Sequence, residues 1–543
     1  MSGIDSAYDY IVVGAGSSGC VVAERLSADG SNRVLLVEAG GRNETELVDM
    51  PRAFMKMFGN PTHFWHFPIK AQAGRPEGEV WPYGRGLGGS SSTNGTWYMR
   101  GMPADFDGWA AAGAPEWRWA EIERCYREME NYRSPDAHPS RGRDGPLQVT
   151  QLPYRSPAIA ATIEAGVEMG LPRLGDINTP GVAGIGYTQA TVDRRGRRAS
   201  SYRAFLKPAM KRPNLDVLTD ALVERVEIES GRATGVRVRA SGAIRTFSAA
   251  REVILSAGAL QSPKLLQLSG IGPADVLRRA GVTVKRDVPA VGRNLADHAM
   301  FSMSWRLHND PGANREFSGW RLATHVLRYY LTRKGLMAYT SPEVTALLSL
   351  RSPAEWPDVQ FGIGPFSMRS SEEMKADPGR GALEDKPGIT VNAIALRPKS
   401  RGSVSILSAD VEDMIEVDAN WWGDPADKAF MTEMVRLVRR YMRQPALARF
   451  VGEEVVPGPA IETDAQIGEV LEWLTSPGVH ATGTCRIGAA EDSVVDGRLR
   501  VHGIDGLRVV DCSVMPVPPA GNTNGPAMVI GWRAAELILA DRR

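Results

Sequence analysis

The sequence has few cysteines and no pattern that would pair them. Only four occur among its 543 residues, far apart and without a CxxC pair: Cys20, Cys125, Cys485 and Cys512. This spacing predicts unpaired thiols in a reducing compartment rather than a disulfide framework. It also offers no Cys/His cluster with the ligand spacing of structural zinc. We therefore expect neither disulfides nor a metal site.

The sequence also lacks a large net charge and long apolar runs. The 64 basic and 63 acidic residues leave a net charge of +1, and no basic run stands out. A protein with so weak a field is not expected to bind nucleic acid or an anionic membrane. No stretch reaches the ~18 uninterrupted apolar residues that a membrane span needs. The N-terminus lacks the basic region and cleavage site of a signal peptide, so the predicted location is the cytoplasm.

The sequence does contain a strand, a glycine-rich turn, a helix and a second strand at its N-terminus. The apolar run at residues 8–13 predicts a buried strand, and RVLLVEAG at residues 33–40 predicts another,. Between them lies Gly14-Ala15-Gly16-Ser17-Ser18-Gly19, a GxGxxG motif that opens a helix. Its glycines allow a tight turn, a close approach of a pyrophosphate and close packing of helix on strand. The N-terminus of that helix can bind the phosphates.

An acidic residue supports this dinucleotide site. Glu38, followed by Ala39, ends the second strand 19 residues after Gly19. A carboxylate at this place accepts hydrogen bonds from a ribose diol and repels a 2′-phosphate, which favours FAD or NAD over NADP. The sequence has one such fingerprint, whereas a reductase that uses both flavin and pyridine nucleotide usually needs two. Flavin is therefore the predicted cofactor.

The rest of the chain predicts a mixed α/β protein with more than one domain. Residues 215–258 and 389–417 have strand patterns broken by polar turns, and residues 320–335 and 427–446 have helical periodicity,. A last strand at residues 507–511 leads into a terminal helix. Residues 368–387 mix charges, glycine and proline. They predict a plain solvated connection, with a mobile lid as the alternative.

Five further blocks follow the GxGxxG motif in a recognisable order. They are GRGLGGSSSTNG at 84–95, GALQSPKLLQLSGIG at 258–272, GRNLADH at 292–298, HATGTCRIG at 480–488 and GNTNGPAMVIGWRAAELI at 521–538. Together they make the chain resemble the glucose–methanol–choline (GMC) oxidoreductase family from residue 9 to residue 538.

The resemblance implies an α/β fold, α+β overall, with a Rossmann-like FAD-binding domain that is discontinuous in sequence. That domain would comprise residues 1–155, 195–310 and 470–543. A substrate domain, built on an antiparallel sheet flanked by helices, would comprise residues 156–194 and 311–469.

The resemblance also implies which residues bind FAD. The glycine-rich loop would line the flavin and the pyrophosphate through Arg85, Gly88, Gly89, Ser90, Asn94 and Gly95. The backbone of Val223 would meet the adenine, and Asp511 would lie near the ribityl chain. Pro526 suits the first turn of a helix whose N-terminus faces the flavin. Some family members attach FAD through a histidine of the glycine-rich loop. Thr93 occupies that place here, so we expect non-covalent FAD.

The expected chemistry needs a base beside the flavin. An alcohol carbon becomes a good hydride donor once its hydroxyl loses the proton, and histidine is the natural base near neutral pH. Of eight histidines, the resemblance selects His480 as the base and Asn524 as the partner that orients the substrate oxygen,. A buried structural histidine and a helix-capping asparagine are the alternatives.

Three residues are candidates for the substrate pocket. Glu343 could point a carboxylate into it, although a solvated or salt-bridged glutamate fits equally well. Trp421 and Trp422 match a position where the family often has an aromatic residue in the pocket, and core packing is the competing interpretation.

The predicted function is FAD-dependent oxidation of an alcohol to the aldehyde, and a primary alcohol is the favoured substrate class. Oxygen or a quinone-like acceptor would take the electrons. A lyase or a light-driven decarboxylase on the same scaffold is the alternative. A serine hydrolase is disfavoured because the sequence has no GxSxG elbow.

Overall fold

A computed structural model describes residues 4–72, 78–369, 383–489 and 491–542. Most of the predicted connection or lid at residues 368–387 lies outside these ranges, so that prediction stays untested.

The strands of the described residues are, in chain order, β1 Ile4–Val13, β2 Val34–Val37, β3 Phe64–Ile69, β4 Glu79–Gly84, β5 Glu130–Tyr132, β6 Leu147–Gln151, β7 Ile185–Tyr187, β8 Gln189–Ala190, β9 Leu215–Leu218, β10 Ala221–Glu229, β11 Arg232–Ala240, β12 Ala243–Leu255, β13 Ile271–Gly272, β14 Arg286–Asp287, β15 Ala299–Leu307, β16 Val344–Leu348, β17 Val359–Gly364, β18 Gly388–Ala395, β19 Ser403–Ile406, β20 Ile415–Asp418, β21 Val451–Val456, β22 Ser476–Pro477 and β23 Leu507–Val509.

The α-helices of the described residues are α1 Ser17–Leu26, α2 Glu46–Asp49, α3 Ser90–Thr93, α4 Pro103–Ala111, α5 Trp119–Met129, α6 Pro157–Glu168, α7 Lys207–Ala209, α8 Gly258–Leu268, α9 Ala274–Arg279, α10 Gly319–Thr332, α11 Pro425–Met442, α12 Asp464–Leu474 and α13 Asn524–Asp541.

The first large sheet carries the N-terminal motif. Strands β9, β2, β1, β12 and β23 pair in parallel, and β10 and β11 extend the sheet through antiparallel pairing with β12. The apolar run of β1 is buried on both faces, as expected for a central parallel strand,. Helices α1 and α13 pack together against it, and Ser18 Oγ donates to the carbonyl of Ala527 at 2.7 Å. The first helix and the start of the last helix of the described chain therefore meet at the GxGxxG turn.

The second large sheet is antiparallel and has two different faces. Its strands follow the order β21-β15-β18-β17-β16-β7. Because side chains alternate along a strand, residues such as Phe301, Phe361 and Val391 lie on one face, where they form an apolar core with helices α6, α11 and α12. The other face carries Gln360 and Asn392, and Gln360 contacts Asn522, a residue in the wall of the cavity described below.

This architecture confirms the predicted fold class, a mixed α/β protein. The predicted helices at 320–335 and 427–446 correspond to α10 and α11. The boundaries that assign residue ranges to an FAD domain and a substrate domain stay a prediction. Among the described residues, no helix is both long enough and apolar enough to cross a membrane. All four cysteines are free.

Candidate active site

A cavity of about 650 Å³ lies beside the first large sheet, and its wall includes residues of β1, β2, β3, β4, β10 and α8. At one end its wall contains Glu38 and Val223, and at the other it contains His480 and Asn522. Most of the predicted cofactor residues line it: Gly14, Gly16, Ser17, Ser18, Glu38, Ala39, Arg85, Gly89, Ser90, Asn94, Gly95, Val223 and Asp511. Gly19, Gly88 and Pro526 do not line the cavity and lie in its supporting structure.

The GxGxxG turn has the geometry that a phosphate-binding turn requires. Gly14 has φ +96°, and a Cβ there would lie 2.6 Å from the carbonyl oxygen of Ser256. A Cβ on Gly19 would lie 1.9 Å from the carbonyl oxygen of Gly14, so the helix can approach the strand only with glycine,. A Cβ on Gly16 would meet no described atom closer than 3.6 Å. Gly16 instead lines the cavity, where a bound group could approach its backbone.

The carboxylate of Glu38 links two backbone segments at the edge of the cavity and can still accept a further hydrogen bond. Its Oε2 accepts a hydrogen bond from the backbone N–H of Ala15 at 2.8 Å, and its Oε1 accepts from those of Gly40 at 2.8 Å and Gly86 at 3.0 Å. A carboxylate offers about four lone-pair sites, so one remains for a ribose hydroxyl. The side chain thus joins the GxGxxG turn to the glycine-rich loop.

Two polar atoms in the cavity wall fit a bound, polar cofactor. Arg85 Nε and Ser256 Oγ are buried and have no hydrogen-bond partner among the described residues, although both residues line the cavity. Buried polar atoms are nearly always paired. Phosphate or ribose oxygens of a dinucleotide would supply such partners. The residues therefore fit FAD, which would extend from Glu38 toward His480.

His480 lies at the far end of the cavity, on a segment whose backbone is fixed by hydrogen bonds to other parts of the protein. The backbone N–H of His480 donates to Asp297 Oδ1 at 2.8 Å, and that of Ala481 donates to Tyr83 Oη at 3.0 Å. The preceding residue, Val479, has φ +57°. A β-branched residue in this region is a strained outlier, of the kind that clusters at functional sites.

A second histidine contacts the first. His298 is fully buried, and its Nδ1 lies 3.0 Å from Nδ1 of His480. Burial lowers the pKa of His298 well below its usual value, and the neighbouring His480 and Arg397 lower it further. Burial also lowers the pKa of His480 to about 4. Both rings are therefore neutral at neutral pH, so one Nδ1 donates and the other accepts.

Asn522 decides which nitrogen of His480 carries the proton. Its Nδ2 lies 3.1 Å from His480 Nε2, and its Oδ1 accepts a hydrogen bond from Gln360 Nε2 at 3.2 Å. The bond to Gln360 orients the amide so that its N–H faces the histidine. His480 Nε2 is then unprotonated and accepts this hydrogen bond through its lone pair, and the ring proton resides on Nδ1, facing His298,.

Asn522, and not the predicted Asn524, contacts His480. Asn524 was expected there, but it is the first residue of α13, and its Oδ1 accepts a hydrogen bond from Ser17 Oγ at 2.8 Å. It lines the cavity beside the GxGxxG turn. Asn522 lies in the loop before the helix, where the chain can turn its side chain toward His480. Position 523 is the N-cap, so the capping alternative does not describe Asn524 either.

Glu343 is buried in an ion pair. Its Oε1 lies 3.4 Å from Arg52 Nη2, and its Oε2 accepts a hydrogen bond from Ser341 Oγ at 2.6 Å. Ser341 lines the cavity, whereas Glu343 does not. Of the two alternatives to a pocket carboxylate, the salt-bridged one describes this residue.

Trp421 and Trp422 lie away from the main cavity. They line a second, small cavity together with Asp297 and Arg397. Trp421 Nε1 donates to Glu79 Oε1 at 2.6 Å, and its ring packs against Trp81 with centroids 6.0 Å apart. These contacts favour core packing, the competing interpretation of the sequence.

The sequence analysis missed Asn522, His298 and Gln360 as parts of the site. Asn522 stands two residues before Asn524 in the same block, and only the start of α13 separates their roles. His298 was in a recognised block, GRNLADH. Gln360 lies on a strand of the second sheet that no motif marked.

Within the chain that the structure describes, no group of three or more His, Cys, Asp or Glu side chains could hold a metal ion.

Comparison with known proteins matches nearly the whole chain to one family. The GMC oxidoreductase family is represented by two models, of which the N-terminal one matches residues 8–300 and the C-terminal one residues 398–531.

Individual relatives agree with that match. An oxygen-dependent choline dehydrogenase of Vibrio vulnificus is 38% identical over 537 residues, covering 98% of this chain and 94% of the relative. An alcohol dehydrogenase [acceptor] of Pseudomonas putida is 36% identical, covering 98% and 96%. Among solved structures, pyridoxine 4-oxidase from Mesorbium loti superposes with a TM-score of 0.86 at 30% identity, covering 97% of this chain and 98% of that one.

Proposed function

This chain belongs to the GMC oxidoreductase family, and from that premise we propose that it oxidises a primary alcohol to the aldehyde with His480 as the base. It is an FAD-dependent oxidoreductase that acts on CH–OH donors. The three relatives described above are all oxidoreductases by name, and none of them supports the lyase or decarboxylase alternative. The observation that carries the proposal is the His480–Asn522 pair in the cavity wall.

The proposed step separates a proton from a hydride. His480 Nε2 removes the proton of the substrate hydroxyl, and Asn522 Nδ2 donates a hydrogen bond to the same oxygen and stabilises its developing charge. Bound FAD would supply the acceptor for the hydride of the carbinol carbon. The C–O bond becomes a carbonyl, and the proton stays on the imidazole until it is released to solvent.

His298 acts in this proposal as a positioning residue. Its Nδ1 accepts the hydrogen bond from His480 Nδ1, which holds His480 in the tautomer whose Nε2 is unprotonated,. When His480 takes a second proton, the same contact stabilises the Nδ1–H of the charged ring. Asp297 supports the arrangement by accepting the backbone N–H of His480.

The test is anaerobic reduction of the flavin. The purified holoenzyme is mixed with aliphatic, benzylic and polyol alcohols, and loss of the oxidised-flavin absorbance reports arrival of the hydride. We expect primary alcohols of one class to bleach the flavin. His480→Gln should slow this by about 10² or more while FAD stays bound. His502→Gln, which changes a histidine outside the main cavity, is the matched control.

Two outcomes would count against the proposal in different ways. If His480→Gln is bleached as fast as the wild type, the assignment of the base is wrong. If no alcohol bleaches the flavin of a folded yellow protein, the assignment of an alcohol as the substrate is wrong.

We propose further that the substrate is uncharged where it meets Ser341. The nearby carboxylate of Glu343 is already neutralised by Arg52, at a side-chain exposure of 1%. It therefore offers little attraction to a cationic substrate such as choline. The test compares choline with 3,3-dimethylbutan-1-ol, its uncharged analogue of the same shape. We expect a higher kcat/KM for the analogue. A wild-type preference for choline would contradict the proposal.

Non-covalent FAD is the remaining proposal for this site. Thr93 is buried in the cavity wall at the position where some relatives carry the linking histidine. A threonine hydroxyl has no comparable reactivity toward the flavin ring.

A further inference from the structure

Helix α10 (Gly319–Thr332) exposes an apolar face that nothing in the described chain covers. Trp320 is 73% exposed, Leu327 59%, Tyr330 49% and Leu331 75%. At 100° per residue these four side chains share one side of the helix. Large apolar side chains with this exposure are few in the described chain, and no other helix carries more than one or two of them. Clusters of this kind mark interaction sites.

The opposite side of α10 already has its own apolar partners. Tyr329, with the partly buried Leu322 and Val326, packs on Met50 and Met337. The outer face is therefore not needed to attach the helix to the protein. A helix that is apolar on both sides is normally buried on both, so the outer face of α10 lacks its counterpart.

The charged side chains of α10 and of the turn that follows it are all positive. Residues 319–335 contain Arg321, Arg328, Arg333 and Lys334 and no acidic residue. Arg321 pairs with Glu316, and Arg333 pairs with Glu46. Arg328 and Lys334 are exposed and form no ion pair with any described residue.

We propose that the outer face of α10 docks on an anionic lipid surface. Trp, Tyr and Leu on one side of a helix with Arg and Lys at its margin form the composition of helices that lie in the membrane interface. Trp320 and Leu331 would enter the headgroup boundary, and Arg328 and Lys334 would meet lipid phosphates. The net charge of +1 for the whole chain predicts no such attraction, but that average conceals the local excess on α10.

A second copy of the chain fits this face less well. A twofold contact through α10 would place the same unpaired cations, Arg328 and Lys334, close to those of the partner, and like charges oppose such an interface. An anionic lipid surface instead complements them.

The position of α10 connects this surface to the active site. The 3₁₀ helix Pro51–Lys56, on which α10 packs, exposes Met55 and continues into Phe58, a residue of the main cavity wall. Docking would hold this side of the enzyme near the lipid. This inference does not rest on the proposed substrate, because binding is measured without turnover.

The experiment is co-sedimentation of the holoenzyme with vesicles. One set contains phosphatidylcholine alone, and the other contains phosphatidylcholine with phosphatidylglycerol. We expect binding to the anionic vesicles that weakens with salt. The double variant Leu327→Gln/Leu331→Gln should lose at least tenfold of the partition coefficient. Arg328→Gln and Lys334→Gln should each weaken it by about fivefold. Trp473→Ser, which removes an exposed tryptophan from α12, should bind like the wild type.

Three results would overturn the proposal. They are absence of binding to anionic vesicles, binding that the α10 variants leave unchanged, and a wild-type dimer in solution that the α10 double variant dissociates. The last result would assign the face to a second copy. Retained FAD and an unchanged far-UV spectrum in the variants show that they are folded, since the substituted side chains lie on the surface.

Discussion

The variant Asn522→Ala tests whether Asn522, rather than Asn524, is the proposed partner of His480. In Asn522→Ala the N–H that lies 3.1 Å from His480 Nε2 is lost, and Gln360 Nε2 loses its acceptor. If this N–H donates to the substrate oxygen as its charge develops, its loss costs about 1.5–3 kcal/mol. That corresponds to a rate of flavin reduction that is roughly 10-fold to 150-fold lower. FAD content should not change, because Asn522 belongs to the His480 end of the cavity.

Asn524→Ala is the matched control with a different expected defect. Its side chain accepts a hydrogen bond from Ser17, which opens α1 at the GxGxxG turn. Loss of this bond should loosen the two helix N-termini where the cofactor phosphates are predicted. We expect weaker FAD retention and, in protein saturated with FAD, a reduction rate within about threefold of the wild type.

The assay is stopped-flow reduction of FAD-saturated enzyme without oxygen, with FAD affinity measured separately by titration of the apoprotein. Asn522→His, which can still present an N–H, should recover part of the rate. The reasoning is refuted if Asn522→Ala reduces the flavin within twofold of the wild type, or if Asn524→Ala shows the larger loss of rate.

Three other predictions follow from the same site. Because burial lowers the pKa of His480 to about 4, the base stays unprotonated in mild acid. The rate of flavin reduction should therefore be constant from pH about 8 to about 5 and fall only below pH about 5. A base with an ordinary histidine pKa would instead lose activity near pH 6.5. Acid precipitation should release FAD into the supernatant, since Thr93 cannot replace a linking histidine; a yellow pellet would contradict this. Gly19→Ala should prevent folding, because its Cβ would lie 1.9 Å from the carbonyl oxygen of Gly14. Gly16→Ala should fold, as thermal unfolding can show, yet bind FAD poorly, and equal effects of the two substitutions would refute the assigned roles.

Much of the fold could be predicted because local patterns and chain order agree. The buried run of β1, the glycine turn and the helical period of α1 each indicate one structure and together form a βαβ unit. The order of β12 and β23 beside β1 could not be read in the same way. Those strands lie more than 200 residues away in sequence, and parallel pairing leaves no local turn signal,.

Parts of the site that are built from one continuous segment could be predicted from the sequence. Parts that combine side chains from several segments could not. The GxGxxG turn is complete within six residues, so its lining of the cavity follows from local rules. The environment of His480 combines His298, Asn522 and Gln360 from three distant segments. The block at 521–538 contains two asparagines, and choosing between them requires knowing where α13 begins. That start is set by tertiary contacts with Ser17 and Ser18.

Helix α10 is a second case in which the sequence predicts an element but not its contacts. Periodicity alone correctly predicted a helix over residues 320–335, since apolar residues recur at helical spacing. It could not decide which face is buried, because Leu322 and Val326 on one side are as apolar as Leu327 and Leu331 on the other. Packing on Met50 and Met337 selects the inner face. The outer face keeps an apolar stripe beside cations that pair with no described residue, a combination that lowers solubility unless another surface covers it. Composition averaged over the chain removes this signal, and only the folded helix separates the two faces.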